Sequence, residues 1–204
     1  MKILIFTSCI PSEKIVHSSQ SAVHIQSFYA IQEFIKKHDI SLQIIFDESR
    51  TNTVLDKWEK NLISKLNKKI NILNPIFLSK LVFFDKLPNL LKKILYENNI
   101  YRNYKLFFYK KDYFKEFKDE YDFFISYLSP ESIALISDHK TRKLTFEGDL
   151  HYQSFSLTIN SLQTNSLKKK LIKFYSKFIC KMWESIYLFL LKDFNRVFSA
   201  NLNM

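Results

Sequence analysis

The sequence predicts an α/β fold of Rossmann-like type, a mostly parallel sheet covered on both faces by helices in three layers. Three observations carry this. The runs Ile3 to Ser8, Phe123 to Tyr127 and Lys143 to Phe146 are short and mostly apolar, as expected for strands buried on both faces. They alternate with longer stretches whose apolar residues recur at helical spacing. A chain of 204 residues that is 47% hydrophobic and 16% aromatic has ample material for a packed core.

The elements follow in order. After the opening strand comes a polar loop, Cys9 to Ser21, and then Ala22, Ile25, Phe28, Tyr29, Ile31 and Ile35 at helical spacing. That helix closes on Lys36, Lys37 and His38, and Ser41 to Phe46 resumes as a strand, which completes a βαβ unit. Residues Thr53 to Lys69 read as an amphipathic helix, with Leu55, Trp58, Leu62, Ile63 and Leu66 on one stripe and lysines outside it. Ile70 to Lys118, broken by Pro75 and Pro88, has short apolar runs that fit no single element. Beyond it, Phe123 to Tyr127 is a strand, and Pro130 suits the first turn of a helix through Ile136. Lys143 to Phe146 is the next strand. From Ser166 to Leu191 the residues Leu171, Tyr175, Phe178, Met182, Ile186 and Leu190 mark one long helix with an expected core stripe, and Arg196 to Ala200 is extended again. The whole span 1–204 is read as one Rossmann-like domain.

Composition narrows the function classes. One glycine among 204 residues excludes collagen-like and low-complexity architectures. The formal charge of +11 calls for an anionic counterpart: lipid headgroups, nucleic acid or a phosphorylated small molecule. Cys9 and Cys180 are far apart and lack metal-ligand spacing, so both are expected to be free buried thiols, with no metal and no cofactor. The apolar runs at the start and at Phe178 to Leu191 are shorter than a membrane span. Zinc spacing, an RNP-like motif and a short basic recognition helix are all missing, which argues against a nucleic-acid partner.

Four stretches carry a family resemblance. KILIFTSCIP with SSQSAVHIQSFYAIQEFIKKHDISLQIIF, then YDFFISYLSPESIALIS, then KLTFEGDLHY, and finally KMWESIYLFLLKDFNRVFSANLN occur in the order seen in one kind of domain. It is the N-terminal, acceptor-side domain of retaining, sugar-nucleotide-dependent glycosyltransferases of the GT-B fold. Two positions depart from that family. Ser18, Ser19, Gln20 and Ser21 stand where paired glycines are common, and Glu147 with Gly148 stands where a histidine usually follows the strand. The resemblance implies transfer of a sugar from a nucleotide sugar to a cell-surface glycan or lipid-linked precursor, in the cytoplasm or on the inner face of the membrane. The donor-binding C-terminal half has no counterpart in these residues, so a donor domain or partner is expected to supply it, and the chain alone is expected not to transfer sugar.

Candidate residues gather at predicted strand ends, where ligands of parallel sheets bind. Glu147, Asp149 and His151 share one loop, where carboxylates orient an acceptor hydroxyl and an imidazole shares its proton; the bland alternative is a solvated turn. Gly148 is the only glycine and suggests a close backbone approach. Ser18, Ser19, Gln20 and His24 precede or open the first helix, where N–H groups favour an anion or where serine simply caps. Ser126 and Ser129 face the same expected acceptor cleft. Lys168, Lys169, Lys170, Lys173 and Lys177 are interleaved with aromatic residues, a pattern that fits an anionic membrane surface or a merely solvated basic face. The alternative classes are a basic nucleic-acid-binding domain and a non-catalytic, membrane-associated interaction domain.

Overall fold

The computed structural model describes residues 1–46, 54–77, 120–147, 156–157, 159–161 and 165–199. Its elements are β1 (Lys2–Thr7), α1 (Ala22–Ile35), β2 (Asp39–Phe46), α2 (Lys57–Asn67), β3 (Asn71–Ile72), β4 (Ile76–Phe77), β5 (Phe123–Tyr127), α3 (Pro130–Ile136), β6 (Arg142–Glu147), α4 (Leu167–Leu191) and β7 (Arg196–Ser199). The strands form one seven-stranded sheet in the order β3-β2-β1-β5-β6-β7, with β4 also paired to β2. Every pairing among them is parallel. The expected Rossmann-like α/β architecture is therefore present.

Side-chain alternation sorts the core into two layers. Ile3 and Ile5 of β1, with Leu42 and Ile44 of β2, pack against Phe28 and Ile31 of α1 and Leu62 and Leu66 of α2. Leu4, Phe6 and Phe124 point the other way, onto Ile133 and Ile136 of α3 and Tyr187 and Leu190 of α4. Successive strand residues face opposite sides, so a central strand needs apolar side chains at nearly every position. That requirement produces the continuous runs seen in the sequence.

Three boundaries or faces differ from expectation. The second helix begins at Lys57 rather than at Thr53, because Asp56 is its N-cap and the Asp56 N–H donates to Glu59 Oε2 at 2.8 Å. Within Ile70 to Lys118, two short strands, β3 and β4, extend the sheet edge beside β2; most of that stretch lies outside the described residues. The largest difference concerns α4. Leu171, Tyr175 and Phe178, expected on its core side, are exposed, and among the side chains described on this helix the buried ones are Cys180, Tyr187 and Leu190. Cys9 and Cys180 are both free and buried, as expected. Among the described residues no helix is long and apolar enough to cross a membrane.

Candidate functional site

Strand order locates the point at which the sheet's winding reverses. The chain leaves β1 toward β2 on one side, while β5 lies on the other side of β1, so the direction of winding reverses between β1 and β5. In parallel sheets ligands commonly bind outside the carboxyl ends of the strands at such a point.

The backbone there is unusual. Leu128, directly after β5, has φ of 50°, the one non-glycine residue with positive φ among those described. In that region the Cβ of an L-residue crowds the following carbonyl, at a cost of about 1–2 kcal/mol. Two bonds hold the strained residue: its N–H donates to the Phe146 carbonyl and its own carbonyl accepts from Ser8 Oγ, both at 2.8 Å. Leu128 thus ties the end of β5 to β6 and to the loop after β1.

Beyond it, Ser129 occupies the N-cap position of α3 but makes no cap bond, with backbone angles of −141° and 85° that depart from capping geometry. The Ser129 hydroxyl is fully buried and has no hydrogen-bond partner among the described residues. A buried hydroxyl without a partner forgoes a bond it would make in water.

Beside it sits a polar cluster on the α3 side of the sheet. Ser126 of β5 pairs in register with Thr145 of β6, and Glu147 lies two residues further on the same face. Thr145 Oγ1 donates to Glu147 Oε1 at 2.8 Å, and Ser126 Oγ lies 3.5 Å from the same oxygen. Ser132 Oγ of α3 lies 2.6 Å from Ser126 Oγ, and both hydroxyls lie within 3.0 Å of the Ser129 carbonyl. Each hydroxyl has one proton, so several of these contacts are alternatives, and the cluster can redistribute its protons.

Glu147 is 7% exposed. Burial, the largest influence, pushes its carboxyl up to about 7; the Thr145 bond opposes this, the nearby Glu131 carboxylate adds to it, and Ser126 opposes it again. At neutral pH the group is therefore part carboxylic acid and part carboxylate, able both to donate and to accept.

The remaining candidates divide into three sets. Gly148, Asp149 and His151 lie outside the described residues. Ser126, Ser129 and Glu147 come together as above. Ser18, Ser19, Gln20 and His24 belong instead to the α1 side. There the Ser21 N–H donates to His24 Nδ1 at 3.1 Å, and burial lowers the pKa of that imidazole. Gln20 Oε1 accepts from the Val16 and His17 N–H groups, which shapes the loop; Ser19 Oγ meets His17 Nδ1 at 2.7 Å, and Ser18 is exposed. The His17 ring stacks on Trp58 at 4.7 Å. This loop borders a groove of about 340 Å³ between Phe28 and Leu62, rimmed by Lys14, Lys65 and Lys69. No hydrogen bond among the described residues joins the two sets. The basic residues Lys168, Lys169, Lys170, Lys173 and Lys177 are all on α4, where the Lys173 ammonium donates to the Asn160 carbonyl.

Leu128, Ser132 and Thr145 were not among the sequence candidates. Thr145 was accessible through strand alternation with Glu147, and Ser132 through its three-residue offset from Ser129. Nothing in the sequence marks Leu128.

Fold and site together define a Rossmann-like α/β domain with a buried hydroxyl and carboxyl cluster near the point where its winding reverses. Comparison with protein-family models, with curated proteins and with solved structures finds no match for the chain.

Proposed function

We propose that this domain binds the acceptor in glycosyl transfer, a cell-surface glycan or its lipid-linked precursor, while a donor-binding domain or partner chain supplies the nucleotide-sugar site. The observation that carries the reading is Glu147: a carboxyl group with a pKa near 7, set among Ser126, Ser132 and Thr145 at the carboxyl edge of a parallel sheet. Sugar acceptors present hydroxyl groups, and a half-protonated carboxyl can accept from one hydroxyl or donate to another as the reaction needs. The Ser129 hydroxyl, without a partner among the described residues, offers a further contact for an arriving polyol. The four stretches that resemble the acceptor-side domain of GT-B glycosyltransferases add the sugar-transfer chemistry to this reading.

The direct test is saturation-transfer NMR of the full chain against a panel of glycans and lipid-linked saccharides, followed by transfer assays with a donor-binding partner and nucleotide sugars. Saccharide binding that weakens in Glu147→Gln and Ser126→Ala, in proteins that still melt cooperatively, is the expected outcome. Absence of saccharide binding, together with tight and steeply salt-dependent oligonucleotide binding, would overturn it in favour of a nucleic-acid-binding domain.

A further inference from the structure

Helix α4 has two apolar sides. Its inner side carries Cys180, Tyr187 and Leu190, all buried. Its outer side carries Leu167, Leu171, Phe174 and Phe178, which are 76%, 62%, 75% and 60% exposed. These four follow a spacing of four, three and four residues, which places them in one stripe along the helix. At about 100° per residue, Phe178 and Tyr187 lie about 180° apart around the axis. The stripe therefore points directly away from the core.

Lysines border it. Lys170, Lys177 and Lys181 run along one edge of the stripe and Lys168 stands at the other, while Lys169 and Lys173 lie further round. Between Leu150 and Trp183 the sequence contains no acidic residue. Large exposed apolar side chains in a row mark an interaction surface, and lysine stems can lie along apolar material while their ammonium groups reach outward.

We infer that this side of α4 docks on an anionic lipid bilayer, with the helix lying in the plane of the interface. Charge and shape choose the occupant. A bilayer surface presents anionic headgroups at the level of the lysines and acyl chains a few ångströms below, where leucine and phenylalanine enter. A nucleic acid offers the phosphates but no apolar depth for Leu167 and Leu171. The helix does not meet the requirement for a spanning segment, so an interfacial position is the membrane mode left to it. The inference does not depend on the sugar-transfer reading.

Co-sedimentation of the full chain with phosphatidylcholine vesicles, with and without phosphatidylglycerol, tests this. Binding only to the phosphatidylglycerol vesicles, weakened by salt, is expected. A Lys170→Gln, Lys177→Gln, Lys181→Gln variant should bind on the order of a hundredfold more weakly, each lysine contributing a factor of about five. A Phe174→Ser, Phe178→Ser variant should lose most of its binding while keeping its melting temperature, because both rings are exposed. No vesicle binding, or equal binding by wild type and both variants, overturns the inference. So does a dimer in solution that Phe174→Ser, Phe178→Ser dissociates without any vesicle binding, since the stripe would then be covered by a second copy of the chain.

Discussion

Ser8 and Leu128 are joined across the winding-reversal point by a 2.8 Å bond from the Ser8 hydroxyl to the Leu128 carbonyl, and Leu128 is held at φ of 50°. A leucine in that conformation persists only where neighbouring contacts over-determine it, and such residues cluster at ligand sites. Leu128→Gly should relieve about 1 kcal/mol of backbone strain, offset in part by the greater freedom of glycine in the unfolded chain. Leu128→Val, with its branched Cβ, should destabilise by more than about 1 kcal/mol. Urea denaturation of the two variants separates them. A valine variant as stable as the glycine variant would mean that the backbone at 128 stores no strain.

Glu147 predicts a pH dependence of folding. Its folded pKa of about 7 lies above the ordinary 4.5, so the folded state holds the proton more tightly than the unfolded chain. The associated stability is fully present below about 4.5 and is lost as pH rises through 7. The difference corresponds to about 3 kcal/mol, and Glu147→Gln should flatten the stability profile over this window by roughly that amount. Parallel profiles for wild type and variant would show that Glu147 ionises as freely in the fold as in water.

The sequence exposes the sheet far better than it exposes the site, for a physical reason. Strands β1 and β5 are central, so burial on both faces writes an uninterrupted apolar run, and Phe123 to Tyr127 is read to the residue. Helix α4 is found by period, yet its inner side is misassigned, because a helix apolar on two sides has no single stripe. The expected stripe from Leu171 to Leu190 drifts by about 100° around the axis, so that Leu190 is buried while Leu171, Tyr175 and Phe178 are exposed. The polar cluster depends on contacts between β5, β6 and α3 that no local pattern records. Glu147, Ser126 and Ser129 were singled out by their place at strand ends, but that Ser132 connects them, and that the Ser129 hydroxyl does not cap its helix, required the packed structure.

Ser129 and Ser132 should respond oppositely to the same substitution. Ser132→Ala removes a hydroxyl within 2.6 Å of Ser126 Oγ and 2.8 Å of the Ser129 carbonyl, and should cost about 1 kcal/mol. Ser129→Ala removes a buried hydroxyl with no partner among the described residues and should be neutral or stabilising by up to about 1 kcal/mol. Under the proposed function Ser129→Ala should also weaken saccharide binding, gaining stability where it loses a ligand contact. Thermal melts and binding titrations on both variants decide this, and a strongly destabilised Ser129→Ala would mean that the hydroxyl already has a partner in the folded protein.

Lys143 sets the other end of α3. Its side chain is buried, and its ammonium donates to the Ser137 and His139 carbonyls, which lie just past the last turn of the helix. Helix carbonyls at this end carry partial negative charge and lack intrahelical partners, so a cation there satisfies both needs. Burial, the largest influence, lowers the lysine pKa, and Asp193 and Asp138 offset this only in part. Lys143→Met keeps the stem and removes the donors, leaving two carbonyls short of a charged partner, and should destabilise by about 2–3 kcal/mol. Because α3 carries Ser132 and follows directly on Ser129, the same variant should also loosen the Glu147 cluster and bring its titration back toward that of an ordinary carboxylate. NMR of the Glu147 side-chain carboxyl across the pH range measures that, and an unchanged titration in a destabilised Lys143→Met would show that the two ends of the helix are uncoupled.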